Sequence, residues 1–207
     1  MRIALLSLAV VSVSFLVSCD DSSSLLTDPS ASVPGSPTLK SESAPEPGRV
    51  NGGGHIQEAT RDVSLAGQAK VLGGEPIDIW AGGIQFDDVA GHWVIQFHEV
   101  SYSHLVGTSF RSTRVQRLQF FENVGETGCT AGVRVHLEGL LDGAAGWTAL
   151  VVVVGGSDGA DDTVRLRIWG PADEYYDSAS DFSSEATCAG SVRTGLDSGN
   201  LTVRYPG

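Results

Sequence analysis

The chain has 207 residues, 41% of them hydrophobic, and 25 acidic residues against 13 Lys and Arg give a formal net charge of −12. That balance argues against nucleic acid as a partner, and against binding anionic lipid headgroups through the protein surface. Acidity is common on exported proteins and by itself names no partner.

The N-terminus reads as a lipoprotein signal peptide over residues 1–18. Arg2 supplies the basic charge, and Ile3 to Val17 supply an apolar stretch broken only by Ser7, Ser12 and Ser14. The stretch is short and serine-broken for a membrane span, which needs about 20 apolar residues. It ends in Leu16-Val17-Ser18-Cys19, with a polar tail behind it. Leucine three positions before cysteine and a small residue just before it form a lipobox. Cys19 is therefore the expected lipidation site and mature N-terminus. The alternatives are an ordinary signal cut near Ser18 or an uncleaved anchor. Each buried CH₂ of a lipid chain contributes about 0.8 kcal/mol, so two or three chains hold durably. The predicted localisation is extracytoplasmic, at the bacterial membrane or envelope.

Residues 19–48 carry Pro29, Pro34, Pro37, Pro45 and Pro47 among Ser, Asp and Glu. So few apolar residues cannot offset the entropy of ordering, and the stretch reads as a disordered spacer. Residues 49–207 have the length of one domain.

That domain alternates with a period of two, the mark of strands with one wet face. Val63, Leu65, Gly67, Ala69 and Val71 fall on one side, and so do Trp93, Ile95 and Phe97. The same holds for Val133, Val135 and Leu137, and for Val164, Leu166 and Ile168. Gly73-Gly74, Asp142-Gly143, Gly155-Gly156 and Asp158-Gly159 are turn signals. Trp147 to Val154 is almost continuously apolar, which suits a central strand covered on both faces. No segment is a convincing amphipathic helix. The expected fold is all-β, an antiparallel sandwich or closed barrel of about 8–10 short strands.

With Cys19 lipidated, Cys129 and Cys188 are left in a compartment that permits disulfides. A bridge between them would close a loop of about 60 residues, worth roughly 4 kcal/mol in the chain-entropy model. Two buried thiols or a metal pair are the alternatives, although no CxxC spacing favours zinc.

The run Asp162-Thr163-Val164-Arg165-Leu166-Arg167-Ile168-Trp169, followed by Tyr176-Asp177, carries a resemblance. With Gly199-Asn200-Leu201-Thr202-Val203 at the end and Val50-Asn51-Gly52-Gly53-Gly54 at the start, the domain resembles the post-COAP-type bacterial extracytoplasmic β-domain. The likeness is firmest from about residue 130. Between Gly91 and Val133 the chain departs from the pattern, and Ser109 to Arg117 is unusually basic. The resemblance implies an all-β surface domain of the kind found in lipoproteins, and it brings no activity with it.

Candidate sites follow from residue chemistry. His92 and His98 share a strand face but stand about 20 Å apart at strand rise, too far for one ion. Each could contact a ligand, or join His104 or His136 from a neighbouring strand. Asp158, Asp161 and Asp162 crowd a glycine-containing loop and offer hard oxygen ligands of the kind calcium takes, although the spacing is not that of an EF-hand. A solvated hairpin turn is the plainer reading. No other cofactor is expected. Asp173, Glu174, Asp177, Asp181 and Glu185 read as a solvated acidic loop. Within it, Tyr175-Tyr176 is the best candidate for an exposed aromatic contact pair. Arg111, Arg114 and Arg117 form a basic cluster that could meet an acidic partner, with internal pairing the plainer reading.

No Gly-x-Ser-x-Gly elbow appears, so no catalytic residue is assigned. The leading expectation is a lipid-anchored, non-catalytic domain with a binding or structural role at the cell envelope. The second is a glycan- or peptide-binding module, calcium-assisted or not, and the third an envelope hydrolase. Exposed aromatics favour the second, and a pocket with histidine or paired acids favours the third.

Overall fold

The computed structural model describes residues 46–80, 82–121, 132–155, 162–183, 186–188 and 191–207. Cys19, Cys129, Asp158 and Asp161 lie outside them, as does the side chain of Cys188, so the lipidation, disulfide and calcium expectations fall largely outside the described residues.

Eight long strands carry the fold: β1 (Arg49–Glu58), β2 (Arg61–Val71), β5 (Val89–Glu99), β6 (Ser109–Phe121), β7 (Gly132–Leu141), β8 (Ala144–Val154), β9 (Thr163–Trp169) and β13 (Ser198–Arg204). Five short ones complete the described set: β3 (Asp78–Trp80), β4 (Gly83–Phe86), β10 (Tyr175–Asp177), β11 (Ala186–Cys188) and β12 (Ser191–Gly195). The sequence pattern marks five of the long strands, β2, β5, β7, β8 and β9, and does not mark β1, β6 or β13. The short ones, at three to five residues, lie at or below the shortest length at which alternation can be read. Among the described residues the only helix is a 3-10 turn, Ser178–Ser180.

All pairings are antiparallel, and the sheet runs β11-β12-β9-β8-β7-β6-β5-β2-β1-β13. It is not a closed barrel, since the path ends at β11 on one side and β13 on the other. It instead coils like a sandwich around one core. The residues predicted to share a face do so: Val63, Trp93, Ile95, Val133, Val135, Val164, Leu166 and Ile168 are fully buried. Fully burying such a side chain contributes roughly 1.5–3 kcal/mol each.

The largest core side chain, Trp93, needs a gap in the facing strand. Gly67 lies directly opposite it, and a β-carbon there would stand 2.3 Å from the indole. On β1, Gly52 pairs with Gly67 and has φ +133°, and a β-carbon on it would meet the Asn200 carbonyl oxygen at 2.0 Å. The glycines at these positions are thus set by close approach of ring and backbone.

β8 is covered on both faces over its second half. Val151 and Val153 face the core, while Val152 and Val154 join Phe121 in a small cluster on the other side. Its first half is wetter there, with Thr148 and Leu150 half-buried.

The two ends of the path are held near each other by Asp162. Its backbone oxygen accepts from the Leu196 N–H at 3.0 Å, and its carboxylate Oδ2 accepts from the Leu201 N–H of β13 at 2.6 Å. The residue is 1% exposed. This is the one described member of the expected calcium trio, and it bonds to backbone.

Candidate functional site

The outward side chains of β6 to β10 line up in three cross-strand rows. One is Gln119–Arg134–Val152–Arg165. The next is Arg117–His136–Leu150–Arg167–Asp177. The third is Arg114–Glu138–Thr148–Trp169–Tyr175. Five strands at about 4.8 Å spacing make a face about 19 Å wide. It presents five arginines, on a chain whose net charge is −12.

Tyr175 and Tyr176 correct the expectation of an exposed pair. Consecutive strand residues point to opposite faces, so Tyr175 is 41% exposed while Tyr176 is 1% exposed in the core. Tyr176 packs edge-on against Phe97 and Tyr102. Burial, with Asp181 and Asp177 nearby, pushes its phenol pKa well up. The exposed aromatic pair is instead Trp169 with Tyr175, directly opposite on β9 and β10, with ring centroids 5.8 Å apart. Trp169 is 37% exposed.

Asp177 organises this end of the face. Its carboxylate accepts from Arg165 Nε at 2.9 Å and Nη2 at 2.6 Å, from Arg167 Nε at 3.1 Å and from the Tyr175 hydroxyl at 2.9 Å. It also accepts from the Ala179 N–H at 3.1 Å and so caps the 3-10 turn. Burial opposes ionisation, but the bonds from Arg165, Tyr175 and Ala179 outweigh it and hold the carboxyl down at about 2. The tyrosine pKa is raised, by burial and then by its bond to Asp177. Asp177 and Asp181 are therefore buried anchors rather than parts of a solvated loop. Asp181 accepts from the Ser101 N–H and lies 3.7 Å from Arg61 Nε.

The other arginines are less committed. Arg134 lies 5.0 Å above the Phe121 ring. Arg111, Arg114 and Arg117 all face outward, and among the described residues none forms an ion pair, contrary to the internal pairing expected. His136, between Arg117 and Leu150, has its pKa pushed down to about 4 by burial and then by Arg117 and Arg134. Neutral at pH 7, it donates from Nε2 to Gln119 Oε1 at 3.0 Å, and Gln119 donates in turn to Gln85.

His92 and His98 both stand exposed on β5, on the face opposite the core. His98 is joined neither by His104 nor by His136 but by His55 of β1, with ring centroids 5.7 Å apart. Asp62 of β2 completes that cluster, 3.4 Å from His55 Nδ1. The signal for it lay in the β1–β2 hairpin. With the turn at Ala59-Thr60, His55 pairs with Ser64, and Asp62 is the next outward residue.

Compared with models of protein families, with curated proteins and with solved structures, the chain matches none of them.

Proposed function

We propose that this chain is a lipid-anchored extracytoplasmic domain that binds rather than catalyses, and that the face around Trp169 and Tyr175 takes an anionic glycan of the cell envelope. The observation that carries the reading is the Trp169–Tyr175 pair, exposed and seated among arginines on an otherwise acidic chain. Flat aromatic rings stack on the apolar faces of sugars, and guanidinium groups pair with their carboxylates or phosphates. Asp177 pre-orders Arg165, Arg167 and Tyr175, which lowers the entropy cost of binding. Arg114 and Arg117 supply charge free of carboxylate partners among the described residues. The lipobox at Cys19 and the resemblance to post-COAP-type surface domains support the envelope setting.

The test is a titration of intrinsic tryptophan fluorescence, because Trp169 is the most exposed of the four indoles. Anionic envelope oligosaccharides should give a saturable change that weakens with salt, while neutral oligosaccharides of equal length bind more weakly. Trp169→Ala and Tyr175→Ala should each weaken binding at least about tenfold, the scale of one lost stacking contact of ~1–3 kcal/mol. Equal binding of neutral and anionic glycans, or none of either, refutes the ligand class. Separately, Cys19→Ala should release the protein from membranes, and a variant that stays fully membrane-bound refutes the anchor.

A further inference from the structure

We infer that His55, Asp62 and His98 form a binding site for a divalent transition metal of the zinc class on the outer face of β1, β2 and β5. One ligand atom from each residue lies within 4.8 Å of the others, and His55 Nδ1 is 3.4 Å from Asp62 Oδ1. Two ligands about 2.0–2.1 Å from a tetrahedral ion stand about 3.3 Å apart, so that pair already has the required spacing. The widest separation closes with a combined side-chain shift of at most about 1.5 Å.

Two further observations point to a ligand. Asp62 Oδ1 is itself shielded from solvent although the side chain is partly exposed, and its nearest described partner, His55 Nδ1 at 3.4 Å, does not close a hydrogen bond to it. A buried carboxylate oxygen left so is costly unless something positive meets it. The second is a β-bulge. Pairing between β2 and β5 jumps from Val63↔Phe97 to Asp62↔Glu99, which leaves His98 as the extra residue. Bulges re-aim side chains, and this one sets His98 beside Ser64, whose hydroxyl lies 2.9 Å from His98 Nε2. Ser64 thereby fixes the ring, as partners of metal-binding histidines commonly do.

The donor set selects the metal. Two imidazoles and one carboxylate suit zinc and its neighbours, whereas calcium takes an all-oxygen shell. Three protein ligands leave a fourth position for water or for a donor from a bound partner, and exposed His98 opens it to solvent. Ser64 is not placed as a nucleophile, because Asp62 pairs with His55 and not with the ring that touches Ser64. The site is independent of the Trp169–Tyr175 face.

The experiment uses the purified full chain, stripped by chelator and with any free thiol blocked by N-ethylmaleimide. Zn²⁺ is titrated against a chromophoric competitor, and Co²⁺ is followed by its visible absorption. One ion per chain should bind. His55→Ala, His98→Ala and Asp62→Asn should each weaken it at least about tenfold, since even an outlying partner of a ligand is worth 10–100-fold. His92→Ala and His104→Ala should leave it unchanged. Should a variant fail to fold, wild-type protein answers by mass spectrometry: Zn²⁺ must protect His55 and His98 from diethylpyrocarbonate, and not His92. No stoichiometric binding, binding that survives the His55→Ala/His98→Ala pair, or labelling of His55 and His98 unaffected by Zn²⁺ overturns the inference.

Discussion

Replacing Asp162 by alanine tests the account of how the open sheet is held. The Asp162 carboxylate is the acceptor for the buried N–H of Leu201, at 2.6 Å, in a residue 1% exposed. Alanine leaves that donor without its partner inside the protein. An unsatisfied buried group costs about 1–3 kcal/mol, and bonds to charged acceptors lie in the upper half of that range. The Leu196 N–H still reaches the backbone oxygen of residue 162, so the loss stays local. The expected destabilisation is about 2–3 kcal/mol. For a domain of this size that lowers Tm by about 4–12 °C. Asp162→Asn keeps an oxygen acceptor but loses the charge, and should cost about half as much. Urea unfolding gives the free energy, and hydrogen exchange at the Leu201 amide gives the location. If Asp162→Ala stays within about 0.5 kcal/mol of wild type and the Leu201 amide exchanges at its old rate, the carboxylate does not hold this seam.

Gly67→Ala should destabilise by about 1–3 kcal/mol, because its β-carbon would press on the Trp93 indole; a variant as stable as wild type, with unchanged near-ultraviolet circular dichroism, contradicts the close-approach argument. His136 should make stability fall on acidification. Its folded pKa, about 4, lies below the unfolded value of 6.5, so the unfolded state takes up the proton first as pH drops between them. The contribution is complete above about pH 6.5 and is lost toward pH 4. It is about 1–2 kcal/mol after allowance for solvent screening of a partly exposed ring. His136→Gln should flatten that part of the pH profile in urea titrations at pH 7 and 4.5, and an unaltered slope would assign the effect elsewhere.

Strands were legible where one-sided burial keeps a strict alternation, as with Val164, Leu166 and Ile168, but not in β6, where register shifts near Thr113 and Gln116 break the pattern. The chemistry was legible only where it sits within one segment. Tyr175 and Tyr176 are adjacent in sequence, and the same alternation that reveals strands separates them across the sheet. The true partner of Tyr175 is Trp169, which depends on β9–β10 register rather than on proximity along the chain. His98 shows the harder limit. Its neighbours come from β1 and β2, and its aim depends on a bulge that no local pattern announces. Asp177 and Asp181 read as solvated because acidic residues near a turn usually are. What buries them is tertiary, the two arginines of β9 for one and Ser101 with Arg61 for the other.

The pairing of β1 with β13 has a consequence for how the domain is made. A chain delivered from its N-terminus, by ribosome or by translocase, presents β1 and β2 long before β13 exists. Throughout that interval one edge of β1 offers unpaired N–H and C=O groups, a template on which other chains can add. Gly52, Gly53 and Gly54 sit in the middle of that waiting edge, and glycine is among the weakest strand formers. The same glycines that let β1 lie close against the backbones of β2 and β13 thus make it a poor seed for intermolecular pairing until its own last strand arrives.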